Sequence, residues 1–154
     1  MSFTIKGLNP EDFAPLFAMS ADDLKQRSIV ELEASDSYFP CRISLEEAQV
    51  GDRLLLLNHV HQPANTPYRS SHAVFVSESA KRSGLFVSDI PPIMRTRLLS
   101  VRAFDGDDMI TDADVVDGRE AGTLFARFLD NPKVAYLHVH FAKRGCFAGR
   151  VDKA

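Results

Sequence analysis

All five histidines of this chain fall in two stretches. His59 and His61 stand in Asn58-His59-Val60-His61-Gln62, with His72 beyond them, and His138 and His140 stand in His138-Val139-His140. Both stretches carry His-x-His. On a strand, residues two apart share a face, so each pair aims two imidazoles at one place. Neutral imidazoles suit Zn and other transition metals, and two such pairs on neighbouring strands can complete a site. His59, His61, His138 and His140 are therefore the candidate metal ligands, with Zn or another transition metal as the candidate cofactor. The alternative reading is that they are ordinary polar residues of a strand face.

A second chemistry runs through Cys146, which follows the second pair across a turn. A cysteine beside a histidine can act as a nucleophile. Cys146 and His140 are the candidate catalytic pair, weighed against Cys146 as a small buried hydrophobe. A third reading is a binding module without chemistry. Tyr68, Arg69 and Arg150 would then hold a small anionic molecule, because the guanidinium fork matches carboxylate or phosphate. The acidic residues around Asp105-Gly106-Asp107-Asp108 do not match the calcium-binding loop. They read as a hairpin turn, with Asp112 and Asp114 on one strand face as outside candidates for ligands.

The elements that position these residues follow from pattern. Segment 3–8 alternates as a strand, and Asn9-Pro10 starts a helix. Ser20 caps a second short helix. Strands are expected at 29–33 and 53–61, with extended structure at 41–43 between them, then an irregular loop at 62–71 that leaves directly from the first histidine pair. Further strands are expected at 73–76, 98–104, 109–116, 134–141 and 146–151, with a helix at 118–129. Asp105-Gly106 signals a hairpin, and Lys143-Arg144-Gly145 fits a three-residue hairpin loop with glycine in the left-handed position. That loop would set Ala142 opposite Cys146, His140 opposite Ala148 and His138 opposite Arg150. His138, His140, Cys146 and Arg150 would then share a polar face, with Leu137, Val139, Phe141, Phe147 and Val151 on a core face.

The fold class expected is α+β: a mostly antiparallel sheet with a few packed helices, in a single domain spanning 1–154. Apolar residues make up 45% and charged residues 25% of the chain, as in ordinary soluble domains. The net charge is −3 and no basic stripe is present, which argues against a nucleic-acid partner. No apolar run approaches a membrane span, and no secretory leader is evident. Two cysteines make no disulfide framework, so a cytoplasmic location with reduced thiols is expected.

Four stretches together are similar to one known family. They are Tyr38-Phe39-Pro40-Cys41-Arg42-Ile43-Ser44-Leu45, His61-Gln62-Pro63 through Pro67-Tyr68-Arg69, Leu98-Leu99-Ser100-Val101-Arg102-Ala103-Phe104-Asp105, and Ala135-Tyr136-Leu137-His138-Val139-His140 through Gly145-Cys146-Phe147-Ala148. The chain resembles the bacterial family catalogued as domain of unknown function 1203, over nearly its whole length. The resemblance implies a complete small bacterial domain and carries no assigned activity. The functional expectation is thus a small-molecule-binding or metal-dependent protein. A Cys-His enzyme and a non-catalytic binding module are the alternatives.

Overall fold

A computed structural model describes residues 2–154. In chain order the elements are β1 (Phe3–Lys6), α1 (Ala14–Phe17), α2 (Ala21–Gln26), β2 (Val30–Glu33), β3 (Arg53–Gln62), β4 (Ser70–Ser77), β5 (Leu85–Val87), α3 (Pro92–Arg95), β6 (Leu98–Phe104), β7 (Ile110–Asp117), α4 (Ala121–Asp130), β8 (Tyr136–Phe141) and β9 (Phe147–Lys153). Two antiparallel sheets form. The larger has the order β5-β1-β9-β8-β6-β7 and the smaller β2-β3-β4. The expected α+β class with antiparallel strands is what the chain adopts.

Local chemistry sets the boundaries. Asn9 Oδ1 accepts the Glu11 N–H at 3.0 Å, and Ser20 Oγ accepts the Asp23 N–H at 3.1 Å, so both expected caps are used. Along α4, Ala121, Leu124, Phe125, Phe128 and Leu129 recur at helical spacing and are buried. They pack with Leu99, Val101, Leu137, Val139 and Val151 on one face of the large sheet.

The opposite face of the large sheet meets the small sheet. Phe147 of β9 packs there with Leu55 and Leu57 of β3 and with Val74 and Val76 of β4. All residues of β8 are buried. The histidine face expected to be polar and separate from the packing is thus itself a seam between two sheets.

Several expectations are corrected. The loop after β3 is shorter than 62–71, because β4 begins at Ser70 and Gln62 still belongs to β3. Strand β5 was not expected; its three residues are too few to show alternation. The stretch 41–43 holds only an isolated bridge from Cys41 to Phe75.

The largest correction is in the last hairpin. Gly145 is left-handed as expected, with φ of 82°. The Phe141 N–H, however, bonds to the Cys146 carbonyl, so the loop is 142–145 and closes one residue earlier than expected. His140 therefore pairs with Phe147, while Val139 pairs with Gly149 and His138 with Arg150. Ala148 is the extra residue of a β-bulge that restores the register. A one-residue slip moves side chains to the other face. Phe147 consequently joins the histidine face, and Cys146 goes to the other, where it packs against the cluster containing Phe141 and Val139.

Candidate functional site

Three histidines converge between the sheets. His61 comes from β3, and His138 and His140 from β8. Each places one ring nitrogen so that the three lie within 4.8 Å of one another. The ring centroids of His61 and His140 are 4.8 Å apart, and those of His61 and His138 are 6.0 Å apart.

A bulge accounts for the approach of His61. Val60 pairs with Ser71 and Gln62 with Ser70, leaving His61 as the unpaired extra residue. Bulges re-aim side chains and let two consecutive residues point the same way. Here His61 reaches the β8 histidines while Gln62 Nε2 donates to Tyr136 Oη, also on β8, at 2.9 Å. Tyr136 in turn donates to Asp108 Oδ1 at 2.6 Å, and Gln62 Oε1 accepts the Ala64 N–H. This chain of bonds ties the loop after β3 to the large sheet. Burial, followed by the neighbouring Asp108 carboxylate, pushes Tyr136 up to about 12, so its proton is firmly held.

Aromatic rings surround the triad. Phe147 stacks on His61 and meets His138 and His140 edge-on. Phe104 packs against His138 and stacks on Tyr136, with centroids 4.9 and 5.1 Å apart. His138 and His140 are only 3% and 2% exposed. Burial therefore holds both well below the ordinary histidine range, at about 3, and holds His61 at about 4. Mutual repulsion adds to this at His138, and the Arg102 charge adds to it at His140 and His61. All three are neutral imidazoles at ordinary pH, the form that binds metals.

Hydrogen bonding fixes the tautomer of His140. Its Nδ1 lies 2.9 Å from the Gly145 carbonyl, which can only accept, so Nδ1 carries the proton. Its Nε2 lone pair accepts from Arg102 Nη1 at 3.2 Å. A metal-ligating histidine is commonly oriented in this way, by a carbonyl on its other nitrogen. The Nδ1 atoms of His61 and His138 are buried and have no hydrogen-bond partner among the described residues.

The other expected site residues distribute differently. His59 lies outside the triad: its ring faces Phe147, centroids 5.9 Å apart, and its backbone pairs with His72. Burial also lowers His59. Cys146 is separated from His140 by the register of the hairpin, and its Sγ takes a hydrogen bond from Arg42 Nη2 at 3.2 Å. Arg42 is 1% exposed and also donates to the carbonyls of Phe147 and Pro40. Arg69 donates to the Pro63 carbonyl within its own loop. Tyr68 meets Phe104 edge-on at 6.3 Å, which puts it at the margin of the aromatic cluster. Arg150 lies over the Tyr136 ring and pairs with Asp152.

Arg102, Gln62, Tyr136 and Phe147 were not anticipated as site residues. A signal existed for Arg102: it is the one charged residue in the apolar strand 98–104. Its partner strand, which puts it directly across from His138, is set by tertiary pairing.

These features define an α+β protein with an imidazole triad, two of its members buried and His61 half-buried, clamped between two antiparallel sheets. The chain belongs to the family described as protein of unknown function (DUF1203), whose model matches residues 38–153. The match includes every residue of the triad and its surroundings, and excludes β1, α1, α2 and β2. No curated protein and no solved structure matches the chain. Among the described residues, no helix is long and apolar enough to cross a membrane.

Proposed function

We infer that the chain binds a transition-metal ion, Zn or a neighbour in the first row, through His61, His138 and His140. One observation carries this reading: three neutral imidazoles on two separate sheets present ring nitrogens within 4.8 Å of one another. Burying imidazoles whose Nδ1 atoms lack partners costs stability, since buried polar groups are normally hydrogen-bonded. An ion bound at those nitrogens would offset that cost. Tetrahedral ligands at Zn–N distances near ~2.0–2.1 Å sit ~3.3 Å apart, so the triad would contract slightly around the ion. Three protein ligands with a fourth position open is the pattern of a catalytic rather than a structural zinc site. The first-choice ligand set is therefore the triad, with His59 outside it.

The reading is tested by purifying the protein without chelator and measuring bound metals. One equivalent of a transition metal is expected, lost in His138→Ala and His140→Ala and kept in His59→Ala. A protein that takes up no metal after chelation and reconstitution, or that takes it up equally well in the triad variants, overturns the reading.

A further inference from the structure

Arg102 stands next to the triad without an acid to neutralise it among the described residues. It lies on β6 directly across from His138, on the histidine face, and is half-buried. Among the described residues its side-chain hydrogen bond goes to a neutral nitrogen, Nε2 of His140. The carboxylates bonded to the residues flanking His138 are committed: Asp108 to the Tyr136 hydroxyl, and Asp152 to Arg150. A half-buried cation facing three neutral groups is costly unless an anion joins it.

A metal ion sharpens this. On the reading above, the ion takes the Nε2 lone pair that Arg102 now occupies, and the guanidinium must give it up. It then lies beside a dication held by neutral ligands only. Metal and guanidinium together present several positive charges, and no described side chain in the triad is anionic. Released from His140, the guanidinium would still stand on the histidine face beside the triad, with its donors unmet.

We propose that Arg102 anchors a small carboxylate that binds at the open position of the triad's metal ion. This rests on the metal-site reading. Donor counting selects carboxylate over phosphate. The Tyr136 hydroxyl gives its proton to Asp108 and the Gln62 amide gives one of its two N–H groups to Tyr136, so the Arg102 fork is the cationic donor set left beside His140 without a carboxylate among the described residues. A carboxylate's two oxygens are satisfied by one fork and one metal ion. A phosphate's remaining oxygens would need further donors, and the Phe104 and Phe147 rings packed on the histidines offer none. Arg102 is a binding residue in this account, and the triad alone holds the metal.

The experiment loads the protein with Co(II) and follows its visible absorption band while titrating acetate, then inorganic phosphate. Wild type should take up one Co(II) and show a saturable acetate shift, with phosphate binding more weakly. Arg102→Gln should keep the Co(II) stoichiometry and weaken acetate by ~10-fold or more, the scale of one charge-assisted pair. Arg102→Lys, which keeps the charge and loses the fork, should fall between the two and guards against a folding defect in the glutamine variant. An acetate response that is absent in wild type or unchanged in Arg102→Gln overturns the carboxylate anchor and leaves the metal site standing. Phosphate binding more tightly than acetate overturns the carboxylate assignment. Failure of wild type to bind Co(II) overturns the metal reading and the anchor with it.

Discussion

Phe147 lies flat on His61, ring centroids 5.1 Å apart and planes 3° from parallel. The two residues belong to different sheets, and the stack exists because the last hairpin closes at 142–145 and then bulges at Ala148. Without that slip Phe147 would face α4 and Cys146 would face the histidines. The bulge thus decides which chemistry the histidine face can support: imidazoles enclosed by an aromatic ring, not a thiol beside an imidazole.

Phe147 is 4% exposed and joins the core cluster of the small sheet to the triad. Phe147→Ala should cost ~3–5 kcal/mol of unfolding free energy, the usual range for a buried phenylalanine. Phe147→Leu should cost less and still weaken metal binding, because the wall behind His61 is lost. Denaturant titration and metal calorimetry on the two variants check this.

The metal-free protein should lose stability in acid below the ordinary histidine range. His61, His138 and His140 have pKa values lowered by folding, to about 4, 3 and 3. The unfolded chain therefore binds more protons than the folded one from about pH 6.5 downward. Stability is full above that pH and falls as pH drops, by up to ~1.4 kcal/mol per pH unit for each buried histidine, until the folded-state values are reached. His61 is only half-buried and contributes less. Urea titrations at pH 7.5 and 5 should differ in midpoint, and His138→Phe should reduce the difference. A midpoint that does not move between these pH values would contradict neutral, buried imidazoles.

Much of the fold is legible in the sequence where a local rule suffices. The strand at 98–104 was expected with the bounds observed. Ser20 caps as its type dictates, and Asp105-Gly106 turns β6 into β7. The site is legible only in part. The His-x-His spacing marks His61, His138 and His140, but convergence depends on one sheet packing on another, which no local pattern encodes. His59 has the same spacing signal as His61 and is left out, because only His61 sits at the bulge. The role of Arg102 and the face of Cys146 depend on strand pairing and on a single inserted residue, Ala148. Loop closure at 142 rather than 143 is a small energetic choice with a large geometric result.

Tyr136→Phe should destabilise the protein by ~1–3 kcal/mol, since Gln62 Nε2 loses its acceptor and Asp108 its donor. The same change should speed amide exchange in the loop 63–69, which Gln62 ties to β8. Hydrogen-exchange mass spectrometry on that peptide reads the effect; unchanged exchange would mean the loop is held by other contacts.

Cys146 should react with alkylating agents at a rate insensitive to His140→Ala, because its sulfur contacts Arg42 and not the imidazole. Cys41, 1% exposed, should react more slowly than Cys146. Timed alkylation with peptide mapping separates the two thiols. Slowing of Cys146 by His140→Ala would restore the Cys-His pair as a reading of the site.

The most direct measurement is X-ray absorption at the metal edge of the Zn- or Co-loaded protein. Imidazole coordination by about three nitrogens near ~2.0–2.1 Å, with a further light atom and no sulfur, is the expected result. A sulfur scatterer near ~2.3 Å, or fewer than two imidazoles, would contradict a centre built from His61, His138 and His140.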